Sequence, residues 1–167
     1  MTHFDEDLDR IALQERKLQF DRFGLDEGWA LGSQLRTMAV ERGYGVAIDV
    51  TLFPMPVFYT ALEGSTPDNP SWVRRKRNCV FRFFKSSYAV GLSLAKQDSN
   101  LQAKFGLPDA DFASHGGSFP INVKGTGCIG AVTVSGLPQR DDHDMVVEAL
   151  CAMLGKHVSM LALAKRG

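Results

Sequence analysis

Two histidines, a Gly-Gly pair and an acidic helix start share one stretch of the chain, residues 115–143 (HGGSFPINVKGTGCIGAVTVSGLPQRDDH). A neutral imidazole can ligate iron or another metal, or move a proton as general acid or base. Glycine is placed where the backbone takes positive φ or passes close to a neighbour. His115, Gly116, Gly117, Phe119 and His143 are therefore the candidate pocket. A loop-fixing hydrogen bond is the competing role for each imidazole. No HExxH or comparable spacing singles out a metal. Near a helix start, the positive end of the dipole favours a neutral His143.

The second chemically loaded segment is TPDNPSWVRRKRN, whose helical pattern sets Arg74, Asn78, Arg82 and Lys85 at i, i+4, i+8 and i+11. Val73, Val80 and Phe84 make an apolar stripe that also contains Arg77, and a guanidinium there must be paired. Arg74, Arg75, Arg77 and Asn78 are candidate binders of a carboxylate or phosphate on a ligand, held in bidentate fashion. Clamping Asp or Glu within the protein, or across a subunit contact, is the other reading. Gly125 to Gly130 formally matches GxGxxG, but a strand-like run follows where a dinucleotide site needs a helix. There is no GxSxG elbow, and Cys128 falls inside a predicted strand.

The elements that must position these groups follow from periodicity. Residues 4–16 read as a charged helix and 17–23 as a short strand. Asp26 can cap a helix striped by Leu31, Leu35, Met38 and Ala39, which Gly43 ends. Residues 46–53 alternate cleanly, and 57–62 are the hairpin partner. A long helix begins at Thr66-Pro67 or Asn69-Pro70, 87–96 is a second helix, and 101–112 is irregular with one short helical turn. Strands at 118–123 and 128–135 are joined by a glycine bend. The final helix starts near Pro138, carries Val146, Leu150, Met153, Leu154 and Leu161, and ends at Lys165 and Arg166. This is an α+β layer fold with about five strands in an antiparallel sheet.

At 167 residues the chain suits a single domain, 1–167. Formal net charge is zero, which argues against a nucleic-acid or membrane-surface binder. Three scattered cysteines exclude a disulfide framework. The acidic start MTHFDEDLDR has no signal-peptide character, so a cytoplasmic location is expected. Asp5, Glu6, Asp7 and Asp9 face a basic block at Arg74 to Arg77, and such patches meet within a fold or between subunits.

TPDNPSWVRRKRN, SSYAVGL, HGGSFPI and GAVTVSGLPQRDDH closely resemble a small-protein family of uncharacterised function, itself similar to the haem-degrading-domain (HbpS/GlcG-like) superfamily. The resemblance spans about residues 18–154. It implies a profilin-like layer, a five-stranded antiparallel sheet with flanking helices, and assembly into a homo-oligomer, dimer or higher. Some superfamily members bind haem, and some degrade it. On that footing the chain is expected to bind haem or another anionic tetrapyrrole-like ligand. Arg74, Arg75 and Arg77 would take its propionate-like groups, and His115 or His143 would approach the metal. A non-enzymatic oligomeric scaffold is the alternative, with the aromatic and basic helix at a subunit contact.

Overall fold

Alternation at period two gives the sheet two unlike faces, and that difference places the site. The computed structural model describes residues 1–166. The elements run α1 (His3–Lys17), β1 (Gln19–Phe20), α2 (Leu25–Arg42), β2 (Ala47–Leu52), β3 (Met55–Ala61) and α3 (Asp68–Phe83). They continue α4 (Ser87–Lys96), α5 (Leu101–Phe105), β4 (Ser118–Val123), β5 (Gly127–Ser135), α6 (Gln139–Leu154) and α7 (Val158–Leu161). The strands form one five-stranded sheet in the order β1-β4-β5-β2-β3. All neighbours are antiparallel except β1 and β4, which run parallel. The expected α+β layer is present, with a mixed sheet in place of a wholly antiparallel one.

Register aligns Phe119, Val132, Val50 and Phe58 in one cross-strand row, and Ser118, Thr133, Asp49 and Tyr59 in the next. Successive residues point to opposite faces. The first row joins Leu31 and Leu35 of α2 and Val146 and Leu150 of α6 in the main core, where each buried Å² of apolar surface contributes roughly 25 cal/mol. The second row is polar yet covered from Ser118 to Asp49, where α3 lies over it, and only Tyr59 on the edge strand is exposed. Buried polar groups need partners, and Ser118 Oγ and Thr133 Oγ1 share a hydrogen bond at 2.8 Å.

The last helix stops earlier than its apolar stripe suggests. Gly155 takes the left-handed conformation, φ 63°, ending α6 at Leu154. Leu161 belongs to α7, and Lys165 and Arg166 lie beyond both helices. The strand expected over 17–23 shrinks to two residues. The helix expected to be capped by Asp26 has its cap two residues sooner, at Gly24, whose N–H donates to the Glu27 carboxylate at 3.0 Å. The acidic start finds its counterions inside the chain: Arg140 donates to buried Asp7 at 2.6 Å, Arg166 reaches the same carboxylate, and Lys96 pairs with Asp5. The basic block at Arg74 to Arg77 is not their partner. Among the described residues no helix is long and apolar enough to cross a membrane, and the three cysteines are free.

Candidate functional site

The start of α3, the start of α6 and the loop before β4 converge around a cleft of about 270 Å³. Its floor is an ion pair, Lys76 from α3 and Asp142 from α6, with only 3% and 1% of these residues exposed. Lys76 Nζ donates to Asp142 Oδ2 at 2.9 Å and to the Val134 carbonyl at 3.2 Å. The same carboxylate accepts the backbone N–H groups of Leu137 at 2.9 Å and Gly136 at 3.3 Å, so it also shapes the turn from β5 into α6. Burial pulls the Lys76 ammonium down, opposed by Asp142. Burial likewise pushes the Asp142 carboxyl up, opposed by Lys76 and the two amides.

The Gly-Gly pair is what lets the chain pass this floor. Gly117 sits at φ 133°, and a Cβ on it would lie 2.3 Å from the Val134 oxygen and 2.9 Å from Lys76 Nζ. A Cβ on Gly116 would lie 2.2 Å from the Gln139 oxygen. Gln139 Oε1 then accepts the Gly116 N–H at 3.1 Å, tying the loop to α6.

His115 closes the cleft on the loop side as an exposed residue, with its ring edge-on to Trp72 at 5.1 Å between centroids. Trp72 is fixed in turn: its Nε1 donates to Asp68 Oδ2 at 3.0 Å, and the Arg75 guanidinium covers its ring at 4.4 Å. Burial, reinforced by Lys76 and Arg75, holds the His115 imidazole below its ordinary value. It is neutral at pH 7, with a nitrogen lone pair free for a metal or a proton.

His143 does not share this cleft. Gln14 Nε2 donates to the Leu161 carbonyl at 2.8 Å, which leaves Gln14 Oε1 to accept from His143 Nε2 at 2.8 Å. His143 Nδ1 is buried and has no partner among the described residues. The ring packs against Tyr88 and Phe119, with centroids 5.2 and 5.9 Å away. His143 and Phe119 are therefore core residues, while His115 lines the cleft and the buried Gly116 and Gly117 pack behind it, against Gln139 and Lys76. The neutral form expected from the helix dipole is present, and its main cause is burial. Burial, then Arg140, pushes His143 down to about 3, against a smaller upward effect of Asp7.

This depressed value makes stability fall in mild acid. Between the unfolded value near 6.5 and the folded value, the unfolded chain binds a proton that the folded chain refuses. His143 thus stabilises fully above pH 6.5, and its contribution is lost as pH drops toward 3. Urea unfolding should show about 2 kcal/mol less stability at pH 5 than at pH 7.5 from this group alone. His143→Gln should flatten that dependence, and an unchanged slope would contradict the buried neutral ring.

The four basic-helix candidates lie in other company. Arg74 donates to the Asp111 carboxylate at 3.1 Å and the Ala110 carbonyl at 2.7 Å, Arg75 Nε to the Asp109 carbonyl at 2.6 Å, and Asn78 to the Asp111 carbonyl at 2.8 Å. All three grip loop 109–111. Arg77 pairs with Asp49 at 3.1 Å beneath α3. Only Arg75 abuts the cleft, through Trp72. Lys76, the fully buried cation, escaped the sequence reading along with Asp142 and Gln139. One signal was present: Val73, Lys76 and Val80 fall at i, i+3 and i+7, which puts Lys76 on the covered stripe.

Known proteins bear on this architecture. The family model described as haem degrading protein HbpS-like matches residues 23–151. A UPF0303 protein of Sinorhizobium medicae is 70% identical over 161 residues, covering 96% of this chain and 98% of its own length. A UPF0303 protein of Burkholderia thailandensis is 57% identical over 159 residues, covering 95% and 96%. The crystal structure of Ybr137w protein superposes with a TM-score of 0.82 at 30% identity over 89% of this chain and 87% of that one. A structure of PduOC in complex with heme shares the fold, with a TM-score of 0.63 at 13% identity over 74% and 88%. The chain belongs to the HbpS-like haem-degrading family, among its UPF0303 proteins.

Proposed function

We propose that this protein binds a small polar molecule in the cleft between α3 and α6, with His115 at its side and the Lys76–Asp142 pair at its floor. The buried pair is the observation that carries the reading. Charges removed from water are costly even when paired, and an apolar pair often serves stability as well or better. Lys76 Nζ has three hydrogens but two acceptors among the described residues. The third is available to a ligand oxygen. Arg75, stacked on Trp72, adds positive charge for an anionic group, and Asn69 and Gln139 can meet neutral polar atoms.

A haem-type tetrapyrrole is the second reading, favoured by family membership and by the neutral His115 imidazole. It fits the cleft poorly. About 270 Å³ is below the roughly 300–1,000 Å³ of sites for drug-sized ligands. Of its walls only Trp72 and Leu137 are apolar, beside Asp68, Asn69, Gln139 and a buried ion pair, which is too little apolar surface to cover a macrocycle.

One set of titrations separates the two. Acetate, glycolate and pyruvate, added singly at millimolar concentration, are the first probes, and at least one should raise the melting temperature of the wild type but not of His115→Ala. A flat response to all three would count against the first reading. A saturable Soret shift with haemin, lost in His115→Ala and kept in His143→Ala, would install the second.

A further inference from the structure

We infer that Lys76 captures carbonyl compounds: its amine condenses reversibly with a small 2-oxo acid held in the cleft, and Asp142 carries the proton. This rests on the binding reading of the same cleft, and adds the ligand class and the bond formed. Lys76 and Asp142 both line the cleft, and Nζ lies 2.9 Å from Oδ2, within reach of a direct proton transfer. Lys76 is buried, whereas every other lysine among the described residues is exposed.

The choice of cation is informative. One position on, Arg77 pairs with Asp49 beneath α3, and an arginine does not give up its proton in a protein. A lysine can. Burial pulls the Lys76 ammonium down and pushes the Asp142 carboxyl up, so both effects favour one event, passage of a proton from Nζ to Oδ2. Net charge is unchanged, and nitrogen gains the lone pair that makes a desolvated lysine a nucleophile.

The condensation balances within the pair. The Nζ lone pair bonds to the carbonyl carbon, the C=O π pair moves onto oxygen, and that oxygen takes a proton from nitrogen. The resulting hydroxyl accepts the proton held by Asp142 and leaves as water, while the nitrogen lone pair closes the C=N bond. Of the three ammonium hydrogens, two depart with the oxygen and one stays on the iminium. The iminium keeps its positive charge against the Asp142 carboxylate, so the buried pair survives. The bond to the Val134 carbonyl is the one released.

The acid end of the ligand has its own counterpart. α3 and α6, sixteen residues each, bring their first residues, Asp68 and Gln139, to the cleft, and no side chain caps either start among the described residues. Positive dipole ends with free amide N–H groups favour an anion there. Asp68, the other carboxylate on the wall, is engaged by Trp72 Nε1. The volume of about 270 Å³ suits a short acid, since an engineered cavity of about 150 Å³ already holds benzene.

Pyruvate at millimolar concentration, with cyanoborohydride to reduce the iminium to a stable amine, tests this on the full chain by peptide mass spectrometry. One reduced adduct is expected on Lys76, at least tenfold above any other lysine. Acetone has the same ketone and no carboxylate, and should label Lys76 at least tenfold less. Lys76→Arg should take up no adduct with circular dichroism unchanged. Should that variant fail to fold, wild type unfolded in urea replaces it, and the preference for Lys76 should vanish. A melting temperature raised by pyruvate without an adduct on Lys76 would overturn the imine and leave the binding reading standing; no rise and no adduct would overturn both. Label spread evenly over the lysines, or equal labelling by acetone, would also overturn the inference.

Discussion

Asp142→Ala is expected to cost about 3–5 kcal/mol of folding stability, the range for removing one partner of a buried ion pair. The variant leaves the Lys76 ammonium in a site with 3% exposure, facing only the Val134 carbonyl. It also strips two backbone amides, those of Gly136 and Leu137, of their acceptor. Leaving an amide without its acceptor adds about 1 kcal/mol or more. Urea unfolding at pH 7 measures the sum. Lys76→Leu combined with Asp142→Leu should recover most of the loss, because no charge is then stranded. A loss below about 1 kcal/mol for the single variant would mean that water reaches the pair. The double variant has a second use: if it folds but no longer responds to the small carboxylates, the charges serve the ligand more than the fold.

Gly117→Ala is the second large effect. A non-glycine residue at φ 133° carries strain of about 1–3 kcal/mol, and forcing a methyl into filled space adds about 1–3 kcal/mol. The new carbon would sit 2.3 Å from a backbone oxygen that cannot swing away, since Val134 lies in β5, and 2.9 Å from Lys76 Nζ. Relief requires moving either the strand or the buried pair. The expected result is a chain that unfolds at least 10 °C below the wild type, read by thermal circular dichroism. Gly106→Ala is the control. That glycine also has positive φ, 67°, but nothing lies within 4 Å of its would-be Cβ, so strain alone should show. Equal losses in the two variants would rule out crowding as the cause at Gly117.

Elements governed by local rules were legible in the chain, and pairings across it were not. The helix over 87–96 and the strand over 118–123 match the observed α4 and β4 at both ends, since Ser86 caps the first and alternation marks the second. The polar row along β2 was visible as Asp49 and Thr51, but alternation reads as solvent exposure unless a helix covers the second face. Lysine normally marks a solvated position, so Lys76 passed as one of a basic block; its partner lies 66 residues away. The two imidazoles looked like neighbours because they share one glycine-rich stretch. β4 and β5 intervene, and they deliver His115 to the loop side and His143 to the contact with Gln14 of α1. The end of α6 was masked because Leu161 continues the stripe past Gly155.

Lys76 and Arg77 are consecutive, yet they reach carboxylates on different elements, Asp142 at the head of α6 and Asp49 in β2. An apolar stripe tolerates small shifts of a helix along a sheet, because one methyl group replaces another at little cost. Two adjacent cations aimed at two separate anions tolerate none. Sliding α3 by a single position, or rotating it by the angle of one residue, would unpair both charges together, at several kcal/mol for the buried Lys76 and less for the partly exposed Arg77. The covered polar layer therefore works as a vernier: it locks one alignment of helix on sheet and disfavours the near-miss packings that an all-apolar contact would permit.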